Sequence, residues 1–255
     1  MTPLELLALV CFFAVVRVAL SLRPDPVSVP VLADGVGTAS ARPAPSARKI
    51  VREYLDAFIV AGLVALVLIT FIVRPFFIPS GSMEPTLLIH DVLLTNEFEY
   101  RFHKPQHGDI VVFTPPIPST DDFIKRLIGA PGDTIRIHKG IVYRNGASLD
   151  EPYIAQPPNY ELEIKNYGIY VDGSRLDPAV ANIPPQSMWS ASDRIPEGFY
   201  FMMGDNRNDS EDSHFWGFAQ PNGTFVAGRR KGEKAGFAGH AVVVFFPFNR
   251  VRVIK

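Results

Sequence analysis

Residues 79–86, Pro-Ser-Gly-Ser-Met-Glu-Pro-Thr, follow closely on an apolar run that closes at Val73–Arg74. A serine held in that turn, directly outside a membrane-length segment, is placed to act on membrane-tethered substrates. A second informative piece is Phe123-Ile124-Lys125-Arg126, where a lysine ends an alternating stretch that reads as a strand. The third is Gly204-Asp205-Asn206-Arg207-Asn208-Asp209-Ser210-Glu211-Asp212-Ser213. A serine hydroxyl is a weak nucleophile until a base takes its proton. The chain has six histidines, yet none of the later segments presents a recognisable histidine–aspartate pairing for a Ser-His-Asp constellation. His103 and His107 have i,i+4 spacing, but Pro105 between them argues against a helix and no zincin glutamate accompanies them. They read as ordinary exposed polar residues, and no metal is expected.

The elements that must position these residues begin with two apolar runs. Leu6–Val16 is uncharged and continues past Arg17 to Leu22. With Arg17 snorkelling to the near interface, Leu4–Leu22 is long enough to span. A cleavable signal fits less well, because Met-Thr-Pro-Leu-Glu lacks a basic n-region and the cleavage-like Ala39-Ser40-Ala41 lies far from the run. Ala57–Val73 is uncharged for 17 residues and reads as a second transmembrane helix. Between them Arg23–Leu55 is rich in proline, alanine and serine and carries five basic against three acidic residues. By the positive-inside rule this linker is cytoplasmic and everything after Arg74 is exported.

After Arg74 the period changes to short alternating strands. Asp91–Thr95, Asp109–Phe113, Thr134–His138, Ile141–Arg144, Phe199–Met203 and Ala241–Phe246 read as strands. Lys139-Gly140 is a hairpin turn and Asn145-Gly146 a second turn signal. The expectation is a mainly β domain of packed antiparallel sheets. Tyr153–Ile195 is richer in proline and asparagine, and Gly223–Gly239, with Arg229, Arg230 and Lys231, reads as an exposed loop.

A net charge of −1 gives no ground for nucleic-acid binding, which needs a marked basic excess. The basic runs Arg42–Arg52 and Arg229–Lys234 read as a membrane flank and a solvated loop. Mean hydropathy of +0.12 with 47% hydrophobic residues is high for a soluble chain of this size, and the two apolar runs account for it. Cys11 is the single cysteine, which excludes an internal disulfide and any cysteine chemistry in the exported domain.

In order and content, the three boxes resemble the signature segments of type I signal peptidases, bacterial leader peptidases that work with a serine and a lysine. The resemblance runs from about Arg74 onward. It implies a signal-peptidase-like catalytic β-domain over 75–149 and 199–255, interrupted by a smaller inserted β-domain over 150–198. These follow anchors at 1–22 and 56–74 joined by the 23–55 linker. It implies Ser82 as nucleophile, Lys125 as general base, and an oxyanion hole from the Ser82 N–H and the Ser80 hydroxyl. Gly81 allows a turn that a side chain would obstruct. Ser210 would orient the lysine, with Asp205, Arg207 and Asp212 as supporting groups. Phe76, Ile78, Met83 and Ile124 would wall shallow pockets that admit alanine, the Ala-x-Ala preference, although all four also suit a core. Phe76 and Phe77 suit a membrane interface as well.

The implied protein is a monomeric, cofactor-free endopeptidase of the bacterial inner membrane, its catalytic domain outside the cytoplasm. Its partners would be the bilayer and the signal peptides of secreted preproteins, with no nucleic acid and no metal. One departure stands out: the family continues Asp-Ser-Arg where this chain has Asp212-Ser213-His214, replacing a permanent cation by one of the titrating type. The rival readings are autoproteolytic Ser-Lys repressors and a non-catalytic binding protein. The former carry a DNA-binding domain and no membrane spans; the latter would not need Ser82, Lys125 and Ser210 intact.

Overall fold

The computed structural model describes residues 3–22, 47–71, 73–119, 121–223 and 236–254, with side chains at 3–4, 67–71 and 73 left aside. Most of the expected linker and the basic part of the 223–239 loop lie outside the described residues. The chain forms two compact units, Met1–Ile72 and Val73–Lys255.

The first unit is a helical hairpin of α1 (Pro3–Ser21) and α2 (Ala47–Phe71). Its contacts run antiparallel: Arg52 Nη2 donates to the Leu20 carbonyl at 2.8 Å, and Phe13 meets Phe58 with ring centroids 6.0 Å apart. At Gly62 the helices touch so closely that an added Cβ would lie 2.5 Å from Val10 Cγ2. Arg17 donates through Nε to Asp56 Oδ1 at 2.7 Å. Among the described residues no helix is long and apolar enough to cross a membrane.

The second unit holds two antiparallel sheets, as the alternation of its strands requires. The first contains β1 (Val73–Phe77), β2 (Val92–Asn96), β3 (Ile110–Phe113) and β4 (Phe123–Gly129). The second contains β5 (Ile135–His138), β6 (Ile141–Arg144), β7 (Ala147–Ser148), β8 (Leu162–Lys165), β9 (Gly168–Val171) and β10 (Ser174–Arg175). The chain then returns to the first sheet with β11 (Phe201–Met203), a one-turn α3 (Ser213–Trp216), β12 (Phe237–Phe246) and β13 (Arg252–Val253). Strand order is β1-β2-β12-β3-β4-β11, with β13 on β12, and β10-β9-β8-β5-β6-β7 in the other sheet.

Both expected turn signals are turns with two positive φ values, at Lys139 (50°) and Gly140 (77°) and at Asn145 (53°) and Gly146 (81°). That is the backbone a two-residue connection needs to match strand twist. The division between sheets does not fall at residue 150. The second sheet already begins at Ile135, because β5 pairs with both β6 and β8. Nor does it have a separate core: Ile128 and Phe201 of the first sheet share a buried cluster with Ile137, Leu162 and Ile169 of the second.

Candidate active site

β4 delivers the lysine. It pairs with β3 in the register Val111↔Lys125 and Ile110↔Arg126. Because side chains alternate along a strand, Lys125 shares its face with Phe123 and Leu127 while Arg126 points the other way. Apolar neighbours on that face leave Lys125 only 4% exposed, and its Nζ stands 5.4 Å from the Phe123 ring centroid.

The 79–86 segment delivers the serine. Ile78 N–H donates to the Asp91 carbonyl and His90 N–H to the Ile78 carbonyl, both at 2.9 Å, clamping the segment where β1 ends. Glu84 N–H closes a turn onto the Gly81 carbonyl at 3.0 Å. Gly81 has no positive φ, and a Cβ there would meet only the flexible Glu84 carboxyl, at 3.3 Å. The steric need for glycine is therefore mild. Ser82 ends up 9% exposed, and Lys125 Nζ donates to its Oγ at 2.7 Å. Ser80, exposed, has its hydroxyl 3.5 Å from that of Ser82.

The electrostatics suit a base. Burial lowers the Lys125 pKa from 10.5 to about 8, against the pull of Asp212, Glu211 and Asp205, which favour the ammonium.

The 204–213 box closes the site from behind. Asn206 N–H donates to the Ser82 carbonyl at 3.1 Å, and Asn206 Nδ2 to the Gly81 carbonyl at 3.2 Å. Gly204 is obligatory: a Cβ there would lie 2.4 Å from the Ser82 carbonyl oxygen and 2.3 Å from Ser210 Oγ. Gly204 N–H in turn donates to Asp212 Oδ2 at 3.0 Å. Burial pushes the Asp212 pKa up, but the hydrogen bond from His214, its charge and the Gly204 amide outweigh that and hold the carboxyl below its ordinary range.

Of the expected supporting groups, Asp205 accepts both arms of Arg126, Nε to Oδ1 and Nη2 to Oδ2, each at 2.8 Å. It also accepts from the Thr86 hydroxyl. Arg207 turns away from these carboxylates to Glu151, at 2.9 and 2.6 Å. The Ser210 hydroxyl is buried against Gly204 and has no hydrogen-bond partner among the described residues. Ile78 and Met83 are buried at 2% and 0%, packed with Leu87 and Leu93, whereas Phe76 and Ile124 lie half-buried on the same cluster. Only the latter pair offers appreciable surface to a ligand. His107 gives its Nδ1 to the Ile128 carbonyl at 2.8 Å.

Sequence reasoning missed Arg126, Thr86, Glu151 and Tyr153. Arg126 carried a signal, a second cation within an otherwise apolar strand; Glu151 carried none, because its partner is 56 residues away.

A family model described as signal peptidase, peptidase S26, matches residues 51–230. The "Probable signal peptidase I-1" of Synechocystis is 39% identical over 215 residues, 82% of this chain and 89% of that protein. Signal peptidase I of Leptolyngbya laminosa is 34% identical over 224 residues, 84% of this chain and 90% of that one. Signal peptidase I of Pseudomonas aeruginosa is 37% identical over 181 residues, 64% of this chain and 62% of its own.

Proposed function

Because the chain belongs to the signal peptidase family, peptidase S26, and is a serine endopeptidase, we propose that it removes N-terminal signal peptides from exported preproteins through a Ser82–Lys125 dyad. The observation that carries this reading is the 2.7 Å contact between Lys125 Nζ and Ser82 Oγ, with both groups buried.

The chemistry follows from that contact. With a pKa near 8, roughly one Lys125 in ten is neutral at pH 7, against one in a few thousand for a free lysine. Ser82 Oγ attacks the scissile carbonyl as Lys125 accepts its proton and later hands it to the leaving amine. Water then deacylates the ester through the same base. Ser80 has an exposed, rotatable hydroxyl near Ser82 Oγ and serves with the Ser82 N–H as donor to the oxyanion. Once Ser82 is acylated, Lys125 loses the hydroxyl it now holds. Ser210, unpartnered beside the Ser82 backbone, is the group that then steadies it. The half-buried Phe76 and Ile124, over a floor of Ile78 and Met83, leave room for small side chains before the scissile bond, favouring Ala-x-Ala sites.

The apolar runs Leu4–Leu22 and Ala57–Val73 serve as anchors in this reading, with the catalytic domain outside the bacterial inner membrane. The decisive experiment is cleavage of a preprotein by the full chain in detergent. Ser82→Ala and Lys125→Ala should each abolish it, and the double variant should be hardly worse, since the two act as a unit. Lys125→Arg should be equally inactive, because a guanidinium keeps its proton. Activity within about tenfold of wild type in any single variant overturns the dyad.

A further inference from the structure

After β7 the chain leaves the second sheet and runs alongside the 204–212 box. Ala155 N–H donates to the Asp205 carbonyl at 3.2 Å, Asn159 N–H to Asn208 Oδ1 at 2.9 Å, and Asn208 Nδ2 to the Pro157 carbonyl at 3.0 Å. Glu151 fixes the start of this segment. Its two carboxylate oxygens take both arms of Arg207, with the side chains 6% and 0% exposed. Tyr153 O–H donates to the same carboxylate at 3.0 Å, and its ring lies 3.8 Å from the Arg126 guanidinium carbon.

These contacts form a closed circuit. Arg126 holds Asp205, and Arg207 Nε donates to the Gly204 carbonyl at 3.0 Å, so both arms of the circuit return to Gly204-Asp205. That dipeptide presses on the nucleophile, since the Gly204 Cα leaves no room for a Cβ beneath the Ser82 carbonyl. A bidentate fork fixes direction as well as distance. An Arg207 without its carboxylate is a buried unpaired cation that must move, and its Nε is attached to Gly204.

Resting on the Ser82–Lys125 reading, we propose that Glu151 is a positioning residue for the catalytic centre, acting through Arg207 to hold Gly204 against the Ser82 backbone. Its contribution is geometric: it sets the angle at which Ser82 Oγ meets the scissile carbonyl and touches neither substrate nor base. A misplacement of about 1 Å from a distant change can cost about 10²-fold in rate.

The test is preprotein cleavage by the full chain in detergent, with thermal unfolding measured in parallel. Glu151→Gln keeps the volume and removes the charge. Its kcat should fall about 10²-fold per folded molecule while KM stays within about twofold. In an Arg207→Leu background the same change should cost almost nothing more. Glu163→Gln, on the second sheet away from the box, should behave as wild type. An unchanged kcat, a loss that only tracks the unfolded fraction, a rise in KM alone, or full additivity with Arg207→Leu each overturns the proposal. If Glu151→Gln does not fold, Tyr153→Phe, which removes only the hydroxyl donated to Glu151, decides. A kcat about tenfold lower supports the proposal, and an unchanged one overturns it. Ser82→Ala runs alongside: activity surviving there indicts the dyad, whatever Glu151 does.

Discussion

His214 Nδ1 lies 2.6 Å from Asp212 Oδ1, and the backbone N–H of His214 reaches the same oxygen at 3.2 Å. The histidine that stands where the family sequence continues with arginine is thus paired with Asp212. Tyr160 stacks on its imidazole at 4.3 Å between centroids and 13° between planes, while Phe215 leans on it at 4.0 Å. The pair is buried on both sides, with side-chain exposures of 8% and 0%.

The first prediction concerns that pair. His214→Ala leaves the buried Asp212 carboxylate with one donor fewer and should cost about 1–3 kcal/mol, the range for leaving a buried acceptor short of a hydrogen bond. The sign with pH follows from the lowered Asp212 pKa. Its stabilisation is fully present above the unfolded value of about 3.9 and is lost as pH falls through the lower folded value. Thermal unfolding of wild type and His214→Ala should therefore converge below about pH 4. A gap that persists undiminished in strong acid would show that the imidazole matters through packing alone.

Lys125 is held against its own preference, and removing it should reveal the strain. Between the folded pKa of about 8 and the unfolded 10.5, the unfolded chain binds more protons, so stability rises with pH across that window. The shift corresponds to about 3 kcal/mol at neutral pH, and losing the hydrogen bond to Ser82 offsets about 1 of it. Lys125→Met should be inactive yet more stable than wild type at pH 7. That advantage should disappear as the pH approaches about 10.5. Equal stability at pH 7 would mean that the lysine is ionised without cost.

Ser80→Ala should fold and bind a preprotein like wild type but turn it over about 10²–10³-fold more slowly, the usual effect of one oxyanion donor. A loss confined to KM would place Ser80 in substrate binding instead.

Topology offers a further check. A reporter that needs export should work when fused after Phe77 and fail near Ala44, and protease outside spheroplasts should digest the domain beyond Arg74 while sparing the linker. The reverse pattern would put the serine on the wrong side for exported substrates.

What the sequence disclosed followed the range of the interactions. The turns at Lys139-Gly140 and Asn145-Gly146 were legible because turn chemistry is local. The departure at His214 was legible because it stands inside a box whose order is fixed along the chain. The meeting of Ser82 with Lys125, 43 residues apart, came only through the resemblance of the boxes. The expected insertion at 150–198 rests on a change in proline and asparagine content, which does not reveal that β5 pairs with β8. Glu151 escaped because nothing beside it names Arg207, and burial of that pair is decided by the path of the chain between them.

The place of β12 bears on when the enzyme comes into being. That strand, Phe237–Phe246, lies between β2 and β3, which follow one another in the chain. During synthesis the ribosome has made Ser82 and Lys125 long before the strand that joins their two halves of the sheet. Long-range pairing of this kind is slow to form. A nascent chain that already carries Ser82 and Lys125 therefore lacks the platform that sets them in register, and proteolytic competence is postponed until Phe237–Phe246 has emerged. A polypeptide stalled before that point would hold both Ser82 and Lys125 and cleave nothing.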